Sequence, residues 1–188
     1  MRSIEYYIIL TADGMYADPD GGLDHYDPAE DEHRYANGLT GRSGDIVMGR
    51  GMYDVRSYWD QVDVDDPETP EVAAEFARYW RETPKLVVSR SDPELGPNAT
   101  KLEGDVVQAV RELRSADGPP IAVGAGADLF ATLAEANLID RYRWLVIPKA
   151  IGQGKSLFAS LQRPLDLRLV GTRTFDSGAV LLEYEPAG

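Results

Sequence analysis

The sequence predicts an α/β protein: a three-layer α-β-α sandwich built on a mostly parallel sheet, with an antiparallel hairpin at its C-terminal end. Two observations predict this class. Short apolar runs bounded by glycine or proline alternate with segments of helical periodicity along most of the 188 residues. The last two apolar runs, 165–170 and 179–185, are joined by the turn sequence Asp-Ser-Gly rather than by a helix. We therefore expect one domain over 1–188 whose sheet has an antiparallel edge.

Local patterning predicts each element in turn. Apolar, β-branched runs indicate strands, and apolar residues three or four positions apart indicate amphipathic helices. The run 4–10, around Tyr6 and Tyr7, is expected to be the first and central strand. Strands are predicted at 4–10, 45–50, 85–90, 99–102, 143–148, 165–170 and 179–185, helices at 28–39, 70–82 and 105–114, and a strand, tight turn and helix start at 119–130.

Punctuating residues set the boundaries of these elements. Gly38 and Gly41 are expected to end the first helix, and Asp105 is expected to cap the helix that runs to Arg114. The segment 15–27 contains Asp-Pro-Asp-Gly-Gly and predicts an acidic loop. A loop of this length in a small domain tends to be functional or mobile.

Composition excludes several classes of function. The chain has no cysteine and two histidines, so disulfides and thiolate chemistry are excluded, and we expect no metal site. A formal net charge of −13 opposes binding to nucleic acid or to an anionic membrane. No stretch approaches the ~18 apolar residues of a membrane-spanning helix. We expect a soluble, cytoplasmic protein with a small-molecule substrate.

Three predicted strands end in residues that suit an anion. These ends are Gly49-Arg50, Ser89-Arg90 and Gly124-Ala125-Gly126. Ligands of open parallel sheets bind beyond the carboxyl ends of the strands, where guanidinium groups and a helix N-terminus can hold phosphates. Two arginines and a helix N-terminus offer more donors than a pyrophosphate needs, so one arginine could bind the 2′-phosphate of a ribose. This predicts NADP rather than NAD. The alternative is that each arginine pairs with a surface carboxylate.

An ordered set of motifs covers nearly the whole chain. The set resembles the dihydrofolate reductase-like superfamily, most closely the group similar to the C-terminal reductase domain of bacterial riboflavin-biosynthesis proteins. The motifs are Thr11-Ala12-Asp13-Gly14, Ile46-Val47-Met48-Gly49-Arg50-Gly51-Met52-Tyr53, Lys85-Leu86-Val87-Val88-Ser89-Arg90, Ile121-Ala122-Val123-Gly124-Ala125-Gly126, Leu138-Ile139-Asp140, Ile147-Pro148 and Gly152-Gln153-Gly154-Lys155-Ser156-Leu157-Phe158.

This resemblance implies an NADPH-dependent reductase of dihydrofolate reductase-like fold, commonly a homodimer. The sequence departs from the family at Met52, where threonine is frequent, and at Ala125, where a second glycine is frequent. The cofactor residues that it implies are Ala12, Gly49, Arg50, Ser89, Arg90, Gly124, Ala125, Gly126, Ala127, Asp128 and Leu129. The residues that it implies around the nicotinamide and the substrate are Pro148, Gly152 and Gly154.

The proton donor is the open part of this prediction. Asp13, Glu32 and His33 are candidates, although Asp13 could only brace its turn and His33 could only be solvated. The family's carboxylate on the first helix corresponds to His33 in an ungapped count, which argues against folate reduction. In a shifted register, Glu30 or Glu32 would supply that carboxylate. We expect hydride transfer to a C=N or C=O bond of a small heterocyclic or sugar-like substrate. The alternatives are a non-catalytic NADP-binding or redox-sensing protein, and a 5-amino-6-(5-phosphoribosylamino)uracil reductase of the riboflavin pathway.

Overall fold

Eight strands form one mixed sheet in the computed structural model, which describes residues 1–187. Helices cover both faces, and two further strands pair in a small separate ribbon. The elements are β1 (Ile4–Thr11), β2 (Met15–Ala17), α1 (Glu30–Gly41), β3 (Asp45–Gly49), α2 (Arg50–Arg56), α3 (Glu71–Glu82), β4 (Lys85–Val88), β5 (Ala99–Lys101), α4 (Val106–Ser115), β6 (Ile121–Gly124), α5 (Ala127–Glu135), β7 (Arg141–Ile147), β8 (Lys155–Ser156), β9 (Leu167–Thr174) and β10 (Val180–Pro186).

The strand order is β5-β4-β3-β6-β1-β7-β10-β9. The six strands from β5 to β7 are parallel, whereas β10 runs antiparallel to both β7 and β9. β1 lies between β6 and β7, so the predicted central strand is central. The predicted fold class, including the antiparallel edge, is confirmed.

The two faces of β1 serve different layers. Ile4, Tyr6, Ile8 and Leu10 are buried in the main core, which they share with Phe130 of α5. The alternate residues of β1 face the layer that contains α1. Successive side chains of a strand point to opposite faces of the sheet, and here both faces of β1 are covered by other layers. Within residues 1–187, no helix is both long and apolar enough to cross a membrane.

Several boundaries differ from the sequence prediction, and β9 ends at Thr174, four residues beyond the predicted 170. α1 continues through Gly38 to Gly41, because it packs along α3 and the Asn37 side-chain amide donates to the Val72 carbonyl at 2.9 Å. These tertiary contacts outweigh the low helix propensity of glycine. The acidic loop is interrupted by β2, which pairs with β8. Asp105 caps α4 as predicted, and its carboxylate accepts from the Gln108 N–H at 2.8 Å.

Candidate functional site

The carboxyl ends of β4, β3 and β6 lie side by side at one edge of the sheet. Gly49 pairs in register with Val88 on one side, and Met48 pairs with Gly124 on the other. The residues that follow these strand ends therefore leave the sheet at the same level. The structure brings together the three segments that the sequence marked as anion-binding.

The N-terminus of α5 points its first N–H groups out of this edge. Gly126 is the N-cap residue and offers no side chain to accept from them. Among residues 1–187, no hydrogen-bond acceptor faces the backbone N–H groups of Ala127, Asp128 or Leu129. The Asp128 carboxylate is turned to the Ser160 hydroxyl at 2.6 Å. Free N–H groups at a nine-residue helix suit an anion, because the helix dipole adds to them.

The glycines at this edge leave room at two places and are covered at a third. A methyl group on Gly124 would come no closer than 3.6 Å to Met48, and one on Gly49 no closer than 3.9 Å to Leu129. A methyl group on Gly126 would lie 2.6 Å from the Tyr16 hydroxyl. Tyr16 therefore packs directly on the turn before α5. Sequence reasoning missed this residue, because nothing in its local pattern links it to a turn 110 positions away.

The two arginines of the predicted site have different surroundings. The Arg50 Nε lies 2.7 Å and 2.8 Å from the two carboxylate oxygens of Asp54, one turn along the same helix. Arg90 is exposed, and no ion pair joins it to any carboxylate within residues 1–187. The Ser89 hydroxyl beside it faces the Ser91 hydroxyl at 3.4 Å. The alternative of a surface carboxylate partner is thus observed for Arg50, while Arg90 is free for a ligand.

The loop after β1 is tied to the loop after β7. The Ala12 N–H donates to the Lys149 carbonyl at 2.7 Å, and Gly14 has a positive φ of 83° that favours glycine. Asp13 accepts from the Thr11 hydroxyl at 2.6 Å and from the Gly152 N–H at 2.7 Å. These hydrogen bonds, the one from Thr11 first, lower the pKa of the Asp13 carboxyl. Such contacts favour a bracing role for Asp13 over proton donation.

The residues predicted to lie around the nicotinamide and the substrate belong to the loop after β7. Pro148 is exposed directly after β7. Gly152 has a φ of 73°, in the left-handed region. A methyl group on Gly154 would lie 2.5 Å from the Ala17 carbonyl, so the backbones of the two loops approach closely there. Both glycines are therefore required by the local backbone, whatever ligand they face.

Glu32 is buried in α1, with 2% of its surface exposed. Its carboxylate accepts from the Tyr26 hydroxyl at 2.8 Å and from the Ser177 hydroxyl. Tyr26 belongs to the acidic loop and Ser177 to the turn between β9 and β10. Glu32 consequently joins three separate segments, and burial raises the pKa of its partner Tyr26, which stays a donor.

His33 follows Glu32 in α1 but faces another way. Its ring lies 5.6 Å from the Trp59 ring and 5.7 Å from the Phe76 ring, measured between centroids. Burial is the main cause that lowers the pKa of His33 below its ordinary 6.5, so the imidazole is neutral near pH 7. The three candidate proton donors thus contact three different parts of the molecule. Their catalytic roles stay predictions.

Comparison with known proteins places this geometry in a wider group. The structure superimposes on a putative riboflavin biosynthesis protein from Shewanella sp. PV-4, with a TM-score of 0.75, 20% identity and 99% coverage of both chains. It superimposes on the Thermotoga maritima diaminohydroxyphosphoribosylaminopyrimidine deaminase/5-amino-6-(5-phosphoribosylamino)uracil reductase with a TM-score of 0.71 and 17% identity. That match covers 99% of this chain and 57% of the other.

A third structure shows that the fold is dihydrofolate reductase-like. It is the dihydrofolate reductase of Enterococcus faecalis complexed with NADP(H) and RAB-propyl, with a TM-score of 0.66, 12% identity and coverage of 99% and 97%. In sequence, the chain is 28% identical over 185 residues to the uncharacterized protein YyaP of Bacillus subtilis, which covers 97% of this chain and 94% of YyaP. The family model described as RibD C-terminal domain matches residues 2–181. The chain therefore belongs to the RibD C-terminal domain family.

Proposed function

We propose that this protein is an NADPH-dependent reductase that transfers hydride to a C=N or C=O bond of a small heterocyclic or sugar-like substrate. The observation that most supports the proposal is the common level at which β4, β3 and β6 end. Family membership supports a reductase of the riboflavin-biosynthesis type, and one protein of similar fold has been solved with NADP(H).

The residues present suit the phosphates of this cofactor. Arg90, free of carboxylates, and the Ser89 hydroxyl would hold the 2′-phosphate, because a guanidinium binds phosphate oxygens through paired hydrogen bonds. Gly124 and the free N–H groups of α5 would hold the pyrophosphate, with Gly49 and Arg50 beside it. At Gly126 the pyrophosphate would lie next to the Tyr16 hydroxyl, which packs on that turn. In a chain of net charge −13, such a site has to act at short range.

The loops after β1 and β7 would bind the nicotinamide ring and the substrate. When bound, NADPH supplies the hydride. Ala12 and Pro148 would flank the nicotinamide, and Gly152 and Gly154 would line the substrate. The hydrogen bonds between the two loops fix the backbone there, which orients a substrate at little entropic cost.

A phosphoribosylaminouracil of the riboflavin pathway is one specific form of this proposal. Its phosphate would require a cation near the substrate loops, for which Lys149 and Lys155 are candidates. The Lys149 ammonium donates to the His25 carbonyl at 2.6 Å, and Lys155 is exposed. Both side chains are within the segments that would surround a substrate.

A non-catalytic NADP-binding or redox-sensing protein is the second candidate. This candidate is supported by the absence of a free acidic group among the three candidate proton donors. Asp13 and Glu32 commit their carboxylates to internal hydrogen bonds, and His33 is held neutral by burial. A protein that binds NADPH without turnover has no need of a free acid.

Two measurements test these candidates. NADPH and NADH are titrated separately while nicotinamide fluorescence is followed, and we expect tighter binding of NADPH. No binding of either nucleotide contradicts both candidates. NADPH oxidation is then followed with a panel of pteridines, pyrimidines and quinones. Steady oxidation with one of them supports the reductase, and NADPH binding without any oxidation supports the sensor.

A further inference from the structure

A small cavity lies between α1 and the sheet, next to the proposed cofactor edge. Its volume is about 40 Å³. Tyr7 of β1, Gly124 of β6 and Ile46 of β3 line it from the sheet, and Arg56 at the end of α2 lines it from the side. This space holds roughly one small polar group or two to three water molecules, and no complete ring. Gly124 connects the cavity to the residues proposed to bind the cofactor.

The Arg56 guanidinium has no partner in this cavity. Every other arginine that is at least partly buried in residues 1–187 makes an ion pair or a hydrogen bond, whereas Arg56 makes neither. Burial lowers the pKa of Arg56, and the nearby Tyr7 and Tyr6 act in the opposite direction. The guanidinium nitrogens are not sealed from solvent, so an anion that enters the cavity meets a cation with no partner within residues 1–187.

A second donor faces the same space. The Tyr7 hydroxyl is partly buried and makes no hydrogen bond to any residue in 1–187, whereas its neighbour Tyr6 donates to the Ala125 carbonyl at 2.8 Å. Burial raises the pKa of Tyr7, and the nearby Arg56 acts in the opposite direction. Tyr7 is therefore a protonated donor that, like Arg56, lacks an acceptor.

The other polar groups of the lining do not supply that acceptor. Glu5 is held by Arg143 at 2.6 Å and by Arg42 at 2.5 Å. The Thr40 and Ser43 hydroxyls donate back to carbonyls of α1. Among the charged residues of the lining, Arg143 is paired with both Glu5 and Glu183, which leaves the Arg56 guanidinium as the charge of the lining without an ion pair. Glu32 is close enough to raise the pKa of Tyr7, but its carboxylate accepts from Tyr26 and Ser177 instead.

We propose that the cavity receives a carboxylate of the substrate, with the Arg56 guanidinium and the Tyr7 hydroxyl as its two donors. A carboxylate is small enough for the volume, accepts from a guanidinium through two oxygens, and takes a phenolic hydrogen bond with its remaining lone pairs. The inference rests on the proposed function only in naming the ligand as the substrate. The substrate class is then a heterocycle that carries a carboxylate.

Acetate and acetamide test the carboxylate site directly, because they have the same shape and only acetate is charged. Each is titrated into the full chain without NADPH, at constant ionic strength set with chloride. The readout is the NMR signal of the Arg56 Nε–H, assigned by its loss in Arg56→Met. We expect a saturable shift with acetate and none with acetamide, and an acetate Kd raised several-fold by Tyr7→Phe. The exposed Arg111, which makes no ion pair or side-chain hydrogen bond in the described part of the chain, is the internal control.

The inference is overturned if the Arg56 signal does not shift, if acetamide shifts it equally, or if Arg111 shifts in parallel. Thermal unfolding of Arg56→Met gives a second readout. Removal of an uncompensated cation is expected to leave the Tm unchanged or raise it, and a fall of several degrees would mark a structural role instead. NADPH binding is measured separately, so acetate binding without NADPH binding would support this site and contradict the proposed function.

Discussion

Asp13 and Gly152 are 139 positions apart, and the Gly152 N–H donates to the Asp13 Oδ2 at 2.7 Å. This contact joins the loop after β1 to the loop after β7, at the edge proposed to bind the substrate. The Thr11 hydroxyl holds the same carboxylate from within its own loop. A charged acceptor between two loops strengthens each of these hydrogen bonds.

We predict that Asp13→Asn lowers the Tm near neutral pH and that its effect disappears in acid. The pKa of Asp13 is lowered below 3.8 in the folded protein, so the charged form stabilises the fold above that pH. This stability is lost as the pH falls through the folded pKa. The measurement is the Tm of both proteins from pH 7 down to pH 2, and the difference is expected to narrow below pH 3.8. Asp24→Asn, in the exposed part of the acidic loop, is the control and should show no such trend.

Glu32→Gln is predicted to destabilise the protein by about 1–3 kcal/mol, as is usual when a buried hydrogen bond to a charged group is lost. The glutamine amide can accept at one oxygen only, so either Tyr26 or Ser177 would lose its acceptor. Urea unfolding gives the free energy. Glu30→Gln, on the same helix with an exposed partner in Arg34, should cost less than about 0.5 kcal/mol. Equal losses in the two variants would contradict the role assigned to Glu32.

Gly38→Ala is predicted to stabilise the protein by about 0.5–1 kcal/mol, because alanine favours the helix and restricts the unfolded chain. Gly38 is exposed within α1, and a methyl group there would meet nothing within 4 Å. At Gly41 the methyl group would lie 2.8 Å from the Tyr79 ring, so Gly41→Ala should destabilise. Urea unfolding of both variants checks the contrast, and a loss of stability in Gly38→Ala would show that the helix does not continue there.

Gly38 also shows what the sequence could and could not predict. Hydrophobic periodicity located the strands and helices, because burial against a sheet imposes it. The adjacency of Gly49, Ser89 and Gly124 followed from parallel strands that all end at one edge. The path of α1 past Gly38 depends on contacts with α3, which local propensity does not contain.

Side-chain direction was the other part that could not be predicted. Glu32 and His33 are consecutive, and a helix turns them about 100° apart. One reaches Tyr26 and Ser177, the other the ring of Trp59. Which of them faces a ligand depends on where the acidic loop and the C-terminal hairpin fold back. No local signal marked Tyr7 or Arg56 as donors without acceptors, since that property depends on seven separate elements around the cavity.

Arg90→Ala is predicted to weaken NADPH binding selectively. Arg90 has no carboxylate partner within residues 1–187, so its guanidinium is free for the 2′-phosphate that NADPH has and NADH lacks. A charge-assisted hydrogen-bonded contact of this kind contributes about 1.5–3 kcal/mol, which corresponds to a loss of roughly 10- to 100-fold in affinity. NADH binding should change by less than about 2-fold. Both Kd values are measured by nicotinamide fluorescence.

Arg111→Ala is the matched control for Arg90→Ala. Arg111 is another exposed arginine that makes no ion pair within residues 1–187, and it lies on α4 instead of at a strand end. The two variants change the net charge by the same amount, so a long-range effect of charge on nucleotide binding would appear in both. Selective weakening of NADPH binding in Arg90→Ala alone therefore reports a direct contact. Equal weakening of NADPH and NADH binding by Arg90→Ala would place Arg90 away from the 2′-phosphate.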